Sequence, residues 1–193
     1  SYIEIELCGD PIGKQDQYAA AFGGLNLIRF HEDDSVSVDP IICKPKTVSR
    51  LRDSILVFYT GRTRSASRLL SEQSKNMATS EKRKLMDEIV QLAFDMKTLL
   101  ESGDLDPVGE VLDKNWRLKC QMASRITDTQ IDEWYQRGIS AGANGGKLLG
   151  AGNGGFMMFV APVEKHRDIV KAMGELRVIP LSFDTNGSQV IYY

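Results

Sequence analysis

The chain has 193 residues, of which 42% are hydrophobic and 26% charged, with a net charge of −2. This suits a globular fold with a sizeable buried core, one domain or one and a half at this length. A pI near 5.8 lacks the basic footprint of a nucleic-acid or anionic-membrane binder.

Three widely spaced cysteines without a CxxC, and two histidines far apart in sequence, argue against a disulfide framework and against a His/Cys zinc site. There is no charged-then-apolar leader and no apolar run long enough to cross a bilayer. We therefore expect a cytoplasmic protein with no membrane or nucleic-acid partner.

Taken in order, residues 2–7 alternate apolar and polar, the period of a half-buried strand. Asp16 then stands where a short apolar helix begins. First-turn N–H groups and the helix dipole favour an ionised carboxylate there. That describes an N-cap, and it equally describes a general base held deprotonated and aimed.

Residues 25–30 and 35–38 alternate about the polar run His31, Glu32, Asp33, Asp34, the pattern of a hairpin. Pro40 and Pro45 punctuate an irregular connection. The basic, polar stretch 44–52 reads as a crossing between two domains, which places the boundary between residues 46 and 47. Residues 54–59 form a continuous run of β-formers, a buried central strand. Arg62, Arg64 and Arg68 follow at an expected helix start, where cations oppose the dipole unless an anion lies between them. They are either a phosphate site or arginines in solvent.

Three helical patterns come next. Ser80 caps the first, which carries Leu85, Ile89, Leu92, Met96 and Leu99 and ends at Gly103. The second covers about 107–124, with Val108, Leu112, Trp116 and Cys120 on its apolar side. Thr127, Asp128 and Thr129 cap the third, which carries Ile131, Trp134 and Tyr135 up to Gly138.

The stretch 142–156 holds seven of the seventeen glycines. Glycine admits positive φ and close backbone approach, so such a run forms either a tight hairpin loop or a nest of N–H donors for an anion. It is neither a P-loop nor the dinucleotide fingerprint. Lys147, near its start, either caps a strand or faces a phosphate. Residues 148–150 and 156–160 read as strands flanking the loop, 163–176 as a helix, and 178–183 with 189–193 as an antiparallel pair about Asn186 and Gly187. With the strand at 54–59 this gives an antiparallel sheet backed by helices, an α+β fold.

Two stretches carry a family resemblance. Gly9-Asp10-Pro11-Ile12-Gly13-Lys14-Gln15-Asp16-Gln17 resembles the Gly-x-Pro-x-Gly-x-x-Asp-Gln segment of galactokinase-like sugar kinases, and residues 147–156 resemble the third motif of the GHMP kinases. Within that superfamily, Gln15-Asp16-Gln17-Tyr18, Phe22-Gly23-Gly24-Leu25-Asn26, Thr60-Gly61-Arg62-Thr63-Arg64 and Leu181-Ser182-Phe183-Asp184 are most similar to the D-glycero-D-manno-heptose 7-phosphate kinases. The resemblance covers essentially the whole chain but not the whole family protein. The first motif and the Pro-x-x-x-Gly-Leu-Gly-Ser-Ser-like second motif, which wrap the nucleotide phosphates, lie N-terminal to this stretch in the family.

The resemblance implies the end of a ribosomal-S5-like N-terminal domain over residues 1–46, followed by a ferredoxin-like C-terminal domain over 47–193. It makes residues 2–7 the end of a helix rather than a strand. It implies transfer of the γ-phosphoryl of ATP to the anomeric hydroxyl of the heptose 7-phosphate, giving the 1,7-bisphosphate for nucleotide-heptose synthesis. Asp16 is then the base and Lys14 its neutralising partner. Gln17, Tyr18, Arg62 and Arg64 contact the sugar phosphate. Gly150, Gly152, Asn153, Gly154 and Gly155 contact the nucleotide phosphates, and Glu4 is either an Mg²⁺ ligand or a solvated surface charge.

The 193 residues alone are expected to lack turnover and to self-associate through apolar residues such as Phe22, Ile28 and Phe30, the missing N-terminal segment being their partner. A fucokinase-like or galactokinase-like kinase, or a non-catalytic module of the same fold, are the alternatives.

Overall fold

The computed structural model describes residues 3–9, 12–62, 80–123, 126–150 and 152–192. A π-helical turn, Ile3–Leu7, opens it, so the alternation at residues 2–7 does not make a strand; it lies on a helical turn, as the resemblance implied. Helix α1 (Gln15–Phe22) leads into a hairpin of β1 (Asn26–Phe30) and β2 (Val36–Pro40), paired in register from Asn26 opposite Pro40 to Phe30 opposite Val36.

Helix α2 (Pro45–Ser54) follows where an irregular crossing was expected. Pro45 occupies its first turn, where the missing N–H costs nothing and the fixed φ suits a helix. Its inner face buries Thr47 and Leu51.

The main sheet has the order β4-β5-β3-β6 with every neighbouring pair antiparallel. Strand β3 (Ile55–Tyr59) lies between β5 (Phe156–Val160) and β6 (Arg177–Ile179), which explains its unbroken apolar run. Helices α3 (Ser80–Ser102), α4 (Val108–Met122) and α5 (Thr129–Ser140) connect β3 to β4 (Gly145–Leu148), and α6 (His166–Met173) connects β5 to β6. This is the split β-α-β ordering of a ferredoxin-like layer, with helical connections in place of single helices on one side.

Phe58, Phe159, Leu148, Met157, Ile131 and Ile169 are fully buried in its core. Each contributes about 1.5–3 kcal/mol by its removal from water. The rings of Trp116, Tyr135, Phe159 and Phe58 follow one another with centroids 6.3, 5.9 and 6.1 Å apart.

Three expectations change in the second half. Helix α5 runs through Gly138 instead of ending there; a Cβ at Gly138 would meet the Phe159 ring at 2.3 Å, so the glycine makes room for the core. Strand β4 begins at Gly145, within the glycine run, because a Cβ on Gly145 would stand 1.9 Å from the Gly109 carbonyl oxygen of α4.

The C-terminal pair about Asn186 and Gly187 does not form. After β6 the chain crosses back to α1, where Gly24 donates to the Asp184 carbonyl at 2.7 Å and Ser188 donates to the Ala21 carbonyl at 3.0 Å. Gly23 and Gly187 meet at this crossing with φ of +63° and +62°. A Cβ on Gly23 would lie 2.3 Å from the Gly187 nitrogen, and one on Gly187 would lie 2.4 Å from the Ala21 carbonyl oxygen.

Candidate active site

Asp16 is the second residue of α1 and exposed. The N-cap position belongs to Lys14, and no side chain caps the helix. The capping reading of Asp16 therefore gives way, and its carboxylate is left available. Next to it, Gln17 donates from Nε2 to Glu4 Oε2 at 2.6 Å, while Gln17 Oε1 is buried without a partner among the described residues. Tyr18 stacks on Phe22, with centroids 6.3 Å apart, and takes the edge of Phe30 at 5.8 Å. Lys14 Nζ stands 3.5 Å from Asp34 Oδ1. The two line an open cavity of about 410 Å³ together with Ile5, Ile12, Gly13 and Phe30.

The loop between β4 and β5 is a strained turn fixed from outside. Gly150, Gly152, Asn153, Gly154 and Gly155 all have positive φ. Asn153 donates its amide to the Ile126 carbonyl at 2.8 Å, and Gly155 donates to the Arg62 carbonyl at 2.9 Å. Thr60 closes the base, its amide and hydroxyl both donating to the Gly155 carbonyl at 3.0 and 2.8 Å.

A Cβ on Gly152 would meet the Ile126 carbonyl oxygen at 2.9 Å, and one on Gly154 would meet the Arg62 carbonyl oxygen at 2.7 Å. Part of the glycine content is thus explained by packing. Among the described residues the amides of Gly152 and Gly154 have no acceptor, the condition for a backbone anion nest.

Arg62 lies at the exit of β3. Its guanidinium donates to both carboxylate oxygens of Asp128, at 3.1 and 2.6 Å, and to Asn153 Oδ1 at 3.2 Å. Asp128 caps α5 at the same time, accepting from the Ile131 amide at 3.0 Å. The Arg62 hydrogen bond holds the Asp128 carboxyl below its usual range, and Asp128 pushes Arg62 up. The cation of Arg62 is therefore balanced by a carboxylate. Arg64 and Arg68 lie outside the described residues.

Two lysines complete the site. Lys119 of α4 donates from Nζ to the Gly150 carbonyl, and Lys147 of β4 donates to Asn115 Oδ1 at 2.7 Å. Burial, and then the positive charge of Lys119, brings Lys147 down to about 8. Burial also lowers Lys119, while Cys120 and Asp16 oppose that shift. Through its bond to Gly150, Lys119 joins α4 to the glycine loop.

Sequence reasoning did not single out Lys119, Asn115 or Asp128 as site residues. A lysine beside Cys120, at the edge of the apolar side of α4, was the available signal for Lys119. Asp128 was read as a cap, which it is; its pairing with Arg62 across 66 positions leaves no local trace.

Residues 96–176 match the family described as GHMP kinases C terminal. The chain is 33% identical over 171 residues to a D-glycero-alpha-D-manno-heptose 7-phosphate kinase of Campylobacter jejuni, covering 89% of this chain and 50% of that protein. It is 26% identical over 203 residues to a galactokinase of Pyrococcus furiosus, covering 88% of this chain and 54% of that protein. The chain thus spans about half the length of the curated relatives it matches.

Among solved structures, a D-glycero-D-manno-heptose 1-phosphate kinase from Bacteroides thetaiotaomicron shares 28% identity at a TM-score of 0.72, over 100% of this chain and 53% of that one. A mevalonate kinase of L. major in complex with R-mevalonate, at 22% identity and a TM-score of 0.69 over 91% of this chain and 53% of that one, is alike in fold. The sequence match over residues 96–176 and the shared antiparallel sheet with its helices identify this chain as containing a GHMP kinase C-terminal domain.

Proposed function

We propose that the chain is the C-terminal portion of an ATP-dependent sugar kinase. It transfers the γ-phosphoryl of ATP to the anomeric hydroxyl of D-glycero-D-manno-heptose 7-phosphate, giving the 1,7-bisphosphate and ADP in cytoplasmic nucleotide-heptose synthesis. The observation that carries this reading is the strained glycine loop, whose Gly152 and Gly154 amides have no acceptor among the described residues and whose Gly150 carbonyl accepts from Lys119. The similarity to heptose phosphate kinases supports the substrate.

In this reading Asp16 accepts the proton of the attacking hydroxyl as its oxygen forms the new bond to phosphorus and ADP leaves with the other pair. Phosphoryl transfer asks mainly for alignment and charge neutralisation, and Lys14, steadied by Asp34, supplies positive charge beside Asp16. Gln17 and Tyr18 orient the sugar. Arg62 and Arg64 take its phosphate, and Arg62 also holds Asn153 in the loop. Gly150, Gly152, Asn153, Gly154 and Gly155 face the nucleotide phosphates.

No group of three or more metal-ligating side chains exists among the described residues. Mg²⁺ commonly keeps several waters and takes one or two carboxylates plus phosphates, and the exposed Glu4 beside Gln17 fits that mode. When bound, the ion would neutralise phosphate charge. Residues 1–46 end one domain and 47–193 form the next, although Leu25, Ile41 and Cys43 pack into the same cluster as Leu51, Leu100 and Val160.

The test is turnover by the full-length protein with ATP and each of heptose 7-phosphate, fucose and galactose. A clear preference for the phosphorylated heptose supports the proposal, and turnover restricted to an unphosphorylated sugar overturns it. The pairing of Arg62 with Asp128 favours one second reading, a kinase for an unphosphorylated sugar, because it leaves that guanidinium fewer donors for a substrate phosphate.

A further inference from the structure

The scheme above gives neither Lys119 nor Lys147 a contact with substrate. Both are half-buried, and each donates to a neutral oxygen: Lys147 to the Asn115 side chain at 2.7 Å, Lys119 to the Gly150 backbone. Asn115 and Lys119 are four residues apart on α4 and so lie on the same face of the helix, opposite Lys147 on β4. Among the described residues neither ammonium has a carboxylate within 4.0 Å. Two adjacent cations taken partly out of water cost free energy unless an anion joins them. Asp16 is the carboxylate whose charge reaches Lys119, and it lies beyond ion-pair distance. The glycine loop, whose Gly150 carbonyl accepts from Lys119, adds the amides of Gly152 and Gly154, which have no acceptor among the described residues.

We propose that Lys119 and Lys147 form a phosphate-binding pair under the glycine loop. The inference deepens the kinase reading of this site and assigns charge neutralisation there to two residues of α4 and β4. The phosphate belongs either to the nucleotide or to the sugar phosphate, and the chemistry recognised is the same.

The test is calorimetry on the full-length protein with pyrophosphate, ATP, ADP and heptose 7-phosphate, comparing wild type with Lys119→Gln, Lys147→Gln and the charge-keeping Lys119→Arg. Charge-assisted hydrogen bonds of this kind are worth about tenfold or more in affinity. We expect each Gln variant to weaken pyrophosphate binding by about that factor and Lys119→Arg to restore most of it. A loss confined to ATP relative to ADP assigns the γ-phosphate, and a loss confined to heptose 7-phosphate assigns the sugar.

In unmutated protein, pyrophosphate should shield Lys119 and Lys147 from reductive methylation, read by mass spectrometry, which keeps the test independent of folding defects. If wild type turns over no sugar yet binds pyrophosphate through these lysines, the pair stands and the kinase reading falls. Unchanged binding of all four ligands in both Gln variants, with no shielding, overturns the pair.

Discussion

Arg62 and Asp128 form a two-pronged ion pair, at 3.1 and 2.6 Å, that joins the exit of the central strand to the cap of α5 and hands one further hydrogen bond to Asn153 in the glycine loop. Asp128→Asn keeps a good capping side chain but removes the charge, whereas Asp128→Ala removes both. Ala should cost about 1–2 kcal/mol of stability and Asn well under that, measured by urea denaturation. The carboxyl is held below its usual range, chiefly by Arg62. Its stabilisation is present above the unfolded-state value of about 3.9 and is lost as pH falls through the lower folded value. The gap between wild type and Asp128→Asn should therefore close in acid and stay open at neutral pH.

Asp16→Asn in the full-length protein should lower kcat by about 10²- to 10⁴-fold while substrate affinities stay within a few fold, because a base is lost without bulk. Since Asp16 caps nothing, its thermal midpoint should hardly move. A near-normal rate would remove Asp16 from the chemistry.

Arg64→Ala should raise KM for the phosphorylated sugar more than KM for ATP, since contact with a non-reacting phosphate is uniform binding. Arg62→Ala should raise both, because it also releases Asn153. Steady-state kinetics with each substrate varied checks this, and an Arg64→Ala effect on ATP alone would reassign that arginine.

The three thiols should differ in reactivity. Cys8 is exposed. Burial pushes Cys120 up to about 12, with Asp132 adding to it, and burial raises Cys43, whose Sγ donates to the Leu100 carbonyl at 3.3 Å. Thiolate is the reactive form, so maleimide at neutral pH should label Cys8 first by mass spectrometry, with Cys120 last.

The 193-residue chain by itself should show no phosphorylation of heptose 7-phosphate and should associate, since Phe22 and Phe30 keep 53% and 47% of their surface exposed beside Tyr18. Light scattering and a coupled assay read both properties. Turnover by the isolated chain would overturn the expectation.

Much of the architecture was legible because its signals are local. The apolar run at residues 54–59, the alternation about His31 to Asp34 and the cap at Asp128 each became the expected element. Alternation misled at residues 2–7, where six residues give too few periods to separate a strand from a helical turn. The turn chemistry of Asn186 and Gly187 was read correctly as a bend but assigned to the wrong partner, since the groups it meets, Ala21 and Gly23, stand at the other end of the chain.

In the glycine run, composition could not separate Gly145, which admits α4, from Gly152, which lies in the loop. Lys147 was read as capping a strand or facing a phosphate, but its pairing with Lys119 was hidden for a related reason. Each has the other as a neighbour across 28 positions of sequence.

The crossing of Gly23 and Gly187 has a bearing on how the molecule is made. Ser188 reaches the Ala20 carbonyl from 168 positions downstream, and translation adds about 5–20 residues per second. The helix bearing Asp16 therefore leaves the ribosome many seconds before the segment that secures its end. An eight-residue helix is marginal in water without such support. A premature stop after Ile179 would leave all four strands of the main sheet intact and this helix untethered. Such a product would pass as folded by its core while lacking the contacts from residues 184 and 188 that hold the end of the Asp16 helix.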